Sequence, residues 1–198
     1  MKLIITILMS SILLTACSGT TPIKTVSDPV KSVSEKEKPQ PDLQKIAYAE
    51  RIGAELNKAM HSADATDPYT SREADLLRML KDLRCEGNYK AVSVYDTKGQ
   101  TENIYLILDR QDGFQIGRHM RFRFKLGTND LIDIEASSKT CLFIPISNDG
   151  IPYATHLMSN EPTEFHVFLS RYHNKPIYVG TASGVWEVTG GKINRVEK

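Results

Sequence analysis

The chain has 198 residues, 40% of them hydrophobic, with 25 Lys+Arg against 24 Asp+Glu for a net charge of +1. That balance excludes electrostatic nucleic-acid binding, which needs a basic footprint. The length allows one domain of ~150 residues, large enough for a proper core.

Lys2 opens the chain and precedes Leu3 to Leu14, an apolar run interrupted only by Thr6, Ser10 and Ser11. Crossing a hydrocarbon core takes ~20 apolar residues, so this run is too short to span and has the dimensions of a signal-peptide core. It ends at Leu14-Thr15-Ala16-Cys17, which resembles the lipobox of bacterial lipoproteins. The resemblance implies that residues 1–16 are cleaved and that the mature chain begins at Cys17. That cysteine would carry a diacylglyceryl thioether and, in many species, an acylated amine. One acyl chain holds only marginally, at ~0.8 kcal/mol per buried CH₂, whereas two or three make a stable anchor. Ser18, in place of aspartate, goes with outer-membrane sorting in enteric lipoproteins. The expected location is therefore the bacterial cell envelope, anchored to the outer membrane through lipid on Cys17. Cleavage removes Lys2 and no acid, leaving a neutral mature chain.

Residues 17–41 form the anchor and a tether rich in Ser, Thr, Lys and Pro, with too little apolar surface to offset its ordering entropy. As a flexible coil it spans ~25–30 Å. A single α+β domain is expected over 42–198. Asp42 is a plausible N-cap, and Leu43, Ile46, Ala49, Gly53, Leu56 and Met60 then recur at helical spacing. A loop is predicted over 64–68. Thr70-Ser71-Arg72-Glu73 reads as a capping box, followed by a second helix burying Leu76, Leu77, Leu80 and Leu83.

With Cys17 assigned to the anchor, Cys85 and Cys141 remain as an even pair in an oxidising compartment, and a disulfide is expected. On chain entropy alone it would stabilise the fold by ~4 kcal/mol.

From Tyr89 onward apolar residues alternate with polar ones. Strands are predicted at 91–95, 103–109, 115–126, 132–137, 140–146, 164–171, 176–181 and 185–188, joined by turns at 96–99, 111–113, 148–150 and 190–191. No helix-length segment separates them, so all pairing is expected to be antiparallel. The predicted fold is α+β: two N-terminal helices, then an antiparallel meander forming a curved sheet or small barrel. Pairing Phe124 with Ile134, Lys125 with Asp133 and Arg123 with Glu135 would give one apolar face and one of opposite charges.

The basic stripe at Arg118, His119, Arg121, Arg123 and Lys125 reads mainly as a solvated strand face balanced by its acidic neighbour. Arg118, His119 and Arg121 lack an assigned partner there and, with Tyr178 and Trp186, form a possible contact surface. His61, His119, His156, His166 and His173 show no ligand spacing, so no metal is expected. No nucleophile elbow, phosphate loop or zinc-protease motif is present. Hence no catalytic residue and no cofactor is assigned, and the chain is expected not to be an enzyme.

A cysteine-bridged β domain behind a lipobox also resembles, in outline, the membrane-bound inhibitors of c-type lysozyme. Their Ser-Gly-x-x-Tyr loop is approached by Ser183-Gly184, with Trp186 in place of tyrosine. Their later Tyr-x-x-x-Thr-Lys-Gly loop is approached by Tyr95-Asp96-Thr97-Lys98-Gly99, which has a shortened spacing and precedes the other. Three functions are therefore weighed. The preferred one is a non-enzymatic binding or assembly module facing another envelope protein. The others are an inhibitor of a foreign hydrolase such as lysozyme, and a small barrel enclosing an apolar ligand between Phe122, Phe124, Phe143 and Phe168.

Overall fold

The computed structural model describes residues 38–62, 70–147 and 150–196. The signal segment, Cys17, most of the tether and the loop expected at 64–68 lie outside the described residues. Helix α1 (Leu43–Ser62) starts where expected, with the Asp42 carboxylate accepting from the amides of Gln44 and Lys45. It buries Ala49, Ile52, Gly53, Leu56 and Met60, while Leu43 at its start stays exposed. Helix α2 (Ser71–Met79) carries the predicted capping box, with the Thr70 amide donating to Glu73 Oε2 at 2.9 Å. Glu73 is itself buried and accepts from Ser93 Oγ at 2.7 Å. The helix stops before Leu83, which sits half-exposed in a 3₁₀ turn at Lys81–Leu83 and does not join the buried face. Leu76, Leu77 and Leu80 do pack inward.

The first sheet has the order β1-β2-β4-β5, all antiparallel: β1 Tyr89–Asp96, β2 Thr101–Leu108, β4 Met120–Lys125 and β5 Leu131–Ala136. One face, bearing Ile104, Leu106, Met120, Phe122 and Phe124, is covered by α2. The other, bearing Val92, Val94, Tyr105 and Ile107, belongs to the larger core with α1. A short pair, β3 (Gly113–Gln115) with β6 (Phe143–Pro145), stands apart. The strand expected over 115–126 is thus two strands in different sheets. Gly117 marks the break: a Cβ there would lie 1.8 Å from the Thr140 carbonyl, and Arg118 takes φ 65°. A straight strand cannot pass that contact.

The β4–β5 register also differs from expectation. Arg121 faces Glu135, Phe122 faces Ile134 and Arg123 faces Asp133, with a bulge before Phe124 meets Leu131. The alternation of faces is as expected, but the pairing is displaced by two residues. A two-residue slip keeps each side chain on its face, and the bulge adds Ile132 as the extra residue on β5.

The largest correction concerns residues 164–171, predicted as a strand. They form helix α3 (Glu164–Tyr172), whose residues from Glu164 to Ser170 are all buried. The helix is short, and over Glu164–Val167 polar and apolar residues alternate, so the segment fits a strand template as readily as a helical one. Strand β7 (Tyr153–Thr155) precedes it and pairs in parallel with β8 (Ile177–Thr181), so α3 is the crossover that the all-antiparallel expectation denied. Strands β9 (Gly184–Thr189) and β10 (Lys192–Arg195) complete a second sheet of order β10-β9-β8-β7. The protein is therefore mixed α and β, with α1 and α3 packed between two sheets, and no sheet among the described residues closes into a barrel.

Helices α1 and α3 meet through Gly53, where a Cβ would lie 2.5 Å from Val167 Cβ and 2.8 Å from the Glu164 carbonyl. Gly53→Ala gains ~1 kcal/mol of helix propensity but overpacks a site with backbone on one side, typically costing ~1–3 kcal/mol or more. The variant should be less stable than wild type, read as a lower denaturant midpoint. A raised midpoint would mean the helices separate freely.

Candidate functional site

The inward face of β4 carries His119, Arg121 and Arg123 toward the helices, opposite to the solvated role expected of it. His119 is fully buried and Arg121 is 5% exposed. Strand pairing places Arg121 beside Glu135 on β5, and the start of α3 places Glu164 beneath it. Arg121 Nη1 donates to Glu164 Oε1 at 2.5 Å, and Nη2 donates to Glu135. Asp133 lies 3.9 Å from the same guanidinium and is bound by Arg123. The Tyr105 hydroxyl also donates to Glu164 Oε1, at 3.2 Å.

Above this network lies a cleft of about 590 Å³, bounded by the start of α1, by β4–β5 and by the 158–164 segment. Its lining acids are Asp42, Glu135, Glu161 and Glu164, against Lys45, Arg121 and Arg123. Both arginines are already committed to carboxylates, so the free charge of the cleft is acidic. Burial disfavours the Arg121 cation, but Glu164, Tyr105 and Glu135 more than offset that and raise its pKa. The Glu135 carboxyl is raised by burial, with Glu164 and Asp133 adding to the shift against the pull of Arg121. The Tyr48 hydroxyl is raised by burial and by Glu164.

Several polar atoms around the cleft are shielded yet unpartnered: Tyr48 Oη, Arg121 Nε, Arg123 Nε and Glu161 Oε2. Glu161 is 2% exposed, and its other oxygen accepts from the Asp42 amide at 2.8 Å. Each such atom costs ~1–3 kcal/mol, and their concentration in one place is what a binding site that completes itself on contact would show. Next to the network, the rings of His156 and His166 meet edge to face at 4.9 Å.

Of the contact residues expected from sequence, only His119 and Arg121 share one face. Arg118 sits in the break before β4, donating to the Leu83 carbonyl. Tyr178 and Trp186 lie on opposite faces of the second sheet, because Tyr178 pairs with Glu187 and Trp186 with Val179. Trp186 is buried and donates to Thr181 Oγ1 at 3.0 Å, as an anchor of its hairpin. Sequence reasoning missed Tyr48, Tyr105, Glu161 and Glu164. Glu161-Pro162-Thr163-Glu164 carried a signal for the last of these, since Thr at N-cap followed by an acid is a helix start.

Chemically, the site holds a neutralised guanidinium, carboxylates and phenols. Among the described residues no group of three or more His, Cys, Asp or Glu side chains is placed to hold a metal ion. The Sγ atoms of Cys85 and Cys141 lie 2.10 Å apart, with their Cα atoms at 5.8 Å. Comparison with known protein families, curated proteins and solved structures finds no match for the chain.

Proposed function

We propose that the chain is a lipid-anchored protein of the bacterial cell envelope that acts as a non-enzymatic binding or assembly module, with the cleft over Arg121 as its contact site. The observation carrying this reading is the acid-rich cleft, whose arginines are matched while Tyr48 Oη and Glu161 Oε2 wait unpartnered. A guanidinium clamped between Glu164 and Glu135 is poorly placed to steady a developing oxyanion, but it rigidifies a surface for recognition. Leu157 and Met158 add exposed apolar contacts in the segment bordering the cleft, as interaction sites commonly do. The Cys85–Cys141 bridge and the lipid on Cys17 belong to the same reading.

The two rivals fare worse. Phe122 and Phe124 lie in the core under α2 while Phe168 lies in the other core, so these rings enclose no common cavity. In the hydrolase-inhibitor reading the Tyr95–Gly99 or Thr181–Trp186 loop would engage a cleft; Tyr95 is exposed, but Ser183 in the second loop is fully buried and donates to the Asn160 carbonyl.

A photoreactive side chain at position 158 of the full-length chain, in intact cells, tests the proposal. A discrete adduct with an envelope component is expected, weakened by Glu135→Gln and lost in Cys17→Ala, which should also lose palmitate labelling and membrane fractionation. Absence of any adduct, or an adduct indifferent to both substitutions, would overturn it.

A further inference from the structure

Strand β5 is the edge of the first sheet, and among the described residues nothing pairs with its outer side. Edge strands are ordinarily blunted by lysine, proline or a covering element. Here helix α2 covers β1, β2 and β4 but leaves β5 bare, so Leu131, Ile132 and Ile134 are 49%, 52% and 53% exposed. On the opposite face Asp133 and Glu135 keep about a third of their side-chain surface in solvent, at 34% and 38%. From Ile132 to Glu135, beyond the bulge at Leu131–Ile132, the edge alternates branched aliphatics on one side with carboxylates on the other.

The charges decide what fits. Asp133, Glu135 and Glu164 share two cations, Arg121 and Arg123, so the acidic face is one positive charge short. The upward shift of the Glu135 carboxyl reports the same shortage, although burial is its first cause. A second copy of β5 added here would set acids against acids, which is destabilising across strands. A strand with basic residues at alternate positions would supply the missing charge, while its other residues covered Ile132 and Ile134. Strand β4, with Arg121 and Arg123 between Met120, Phe122 and Phe124, already shows that pattern on the inner side of β5.

We propose that β5 is a docking edge to which an extended segment of a protein partner, alternating basic with apolar residues, adds as a further strand. Backbone hydrogen bonds supply affinity in such additions, and alternate side chains supply selectivity. Asp133 and Glu135 act as the selective element, rejecting acidic partners and the chain's own edge. This inference rests on the binding-module reading and names the form of the partner.

The test uses the full lipidated chain in detergent and a fluorescent peptide with the sequence of residues 119–126, His-Met-Arg-Phe-Arg-Phe-Lys-Leu. Fluorescence anisotropy should show saturable binding that weakens as salt rises. Replacing the peptide's arginines and lysine by glutamate should weaken it about tenfold or more, as should Ile132→Lys on the protein. Val185→Lys adds the same charge on the second sheet and should leave binding unchanged. Non-saturable binding, equal affinity for the acidic peptide, or indifference to Ile132→Lys would each overturn the proposal. Crosslinking from position 158 that persists while the peptide fails would remove this inference and leave the cleft as the contact site.

Discussion

Between about pH 6 and 4.5 the unfolding free energy should fall by roughly 2.7 kcal/mol per pH unit, at about 1.36 kcal/mol for each of two protons. The protons belong to His119 and His166, whose folded-state values are lowered from 6.5 to about 4 and about 3, and burial also lowers His156 and His173, which add to the fall. Burial is the main cause in both, and the nearby His156 adds to it for His166. A depressed base is neutral in the fold and charged in the unfolded chain throughout that window. The unfolded state therefore binds more protons, and stability is lost as pH drops from 6.5 toward 4. Geometry explains the resistance to protonation. His119 Nδ1 accepts from the Leu108 amide and Nε2 donates to the Gln115 carbonyl, so a further proton can go only on Nδ1, at the cost of a buried bond. His166 Nδ1 accepts from the Thr163 amide and closes the cap of α3. Denaturant titrations at pH 7, 6 and 5 measure the slope. His166→Gln keeps the acceptor of a capping box and should roughly halve it. Stability independent of pH over this range would show that these rings are not neutral and buried together.

The helices with caps were legible in the sequence because their signals are local: Asp42 and the Thr70–Glu73 box announce α1 and α2 without reference to the rest of the fold. Most strands were legible for the same reason, through alternation, but the short β7 and β10 fell outside every predicted strand. What failed depended on distant chain. Phe165 and Val167 alternate with Glu164 and His166, and in so short a segment that alternation reads as a strand unless the packing of α1 against it is known. The break at Gly117 depends on the Thr140 carbonyl, twenty-three residues away by sequence number. The site suffered most. Arg121 was visible as a basic residue beside an acidic strand, but the buried partner that turns it inward, Glu164, sits on the misread segment. Once that segment is a helix, the solvated stripe becomes a buried network.

Glu164→Leu should destabilise the protein by roughly 3–5 kcal/mol, because it leaves a buried guanidinium without its one fully buried carboxylate partner. Glu135 would remain on Arg121, but at 38% side-chain exposure it is too hydrated to replace a partner that is 4% exposed. Tyr105 would also lose its acceptor. The double variant Arg121→Met with Glu164→Gln removes both charges while keeping an oxygen for Tyr105. Since apolar replacements of buried pairs are often neutral or better, it should recover most of the loss, and a double-mutant cycle should show strong coupling. Additive losses would mean that the two residues do not act as one buried unit. The same double variant separates architecture from recognition. Folded, but without the Glu164 carboxylate and the clamp that holds Glu135 in place, it should lose crosslinking from position 158. A folded double variant that still crosslinks would confine the Arg121 network to stability and move the contact elsewhere on the domain.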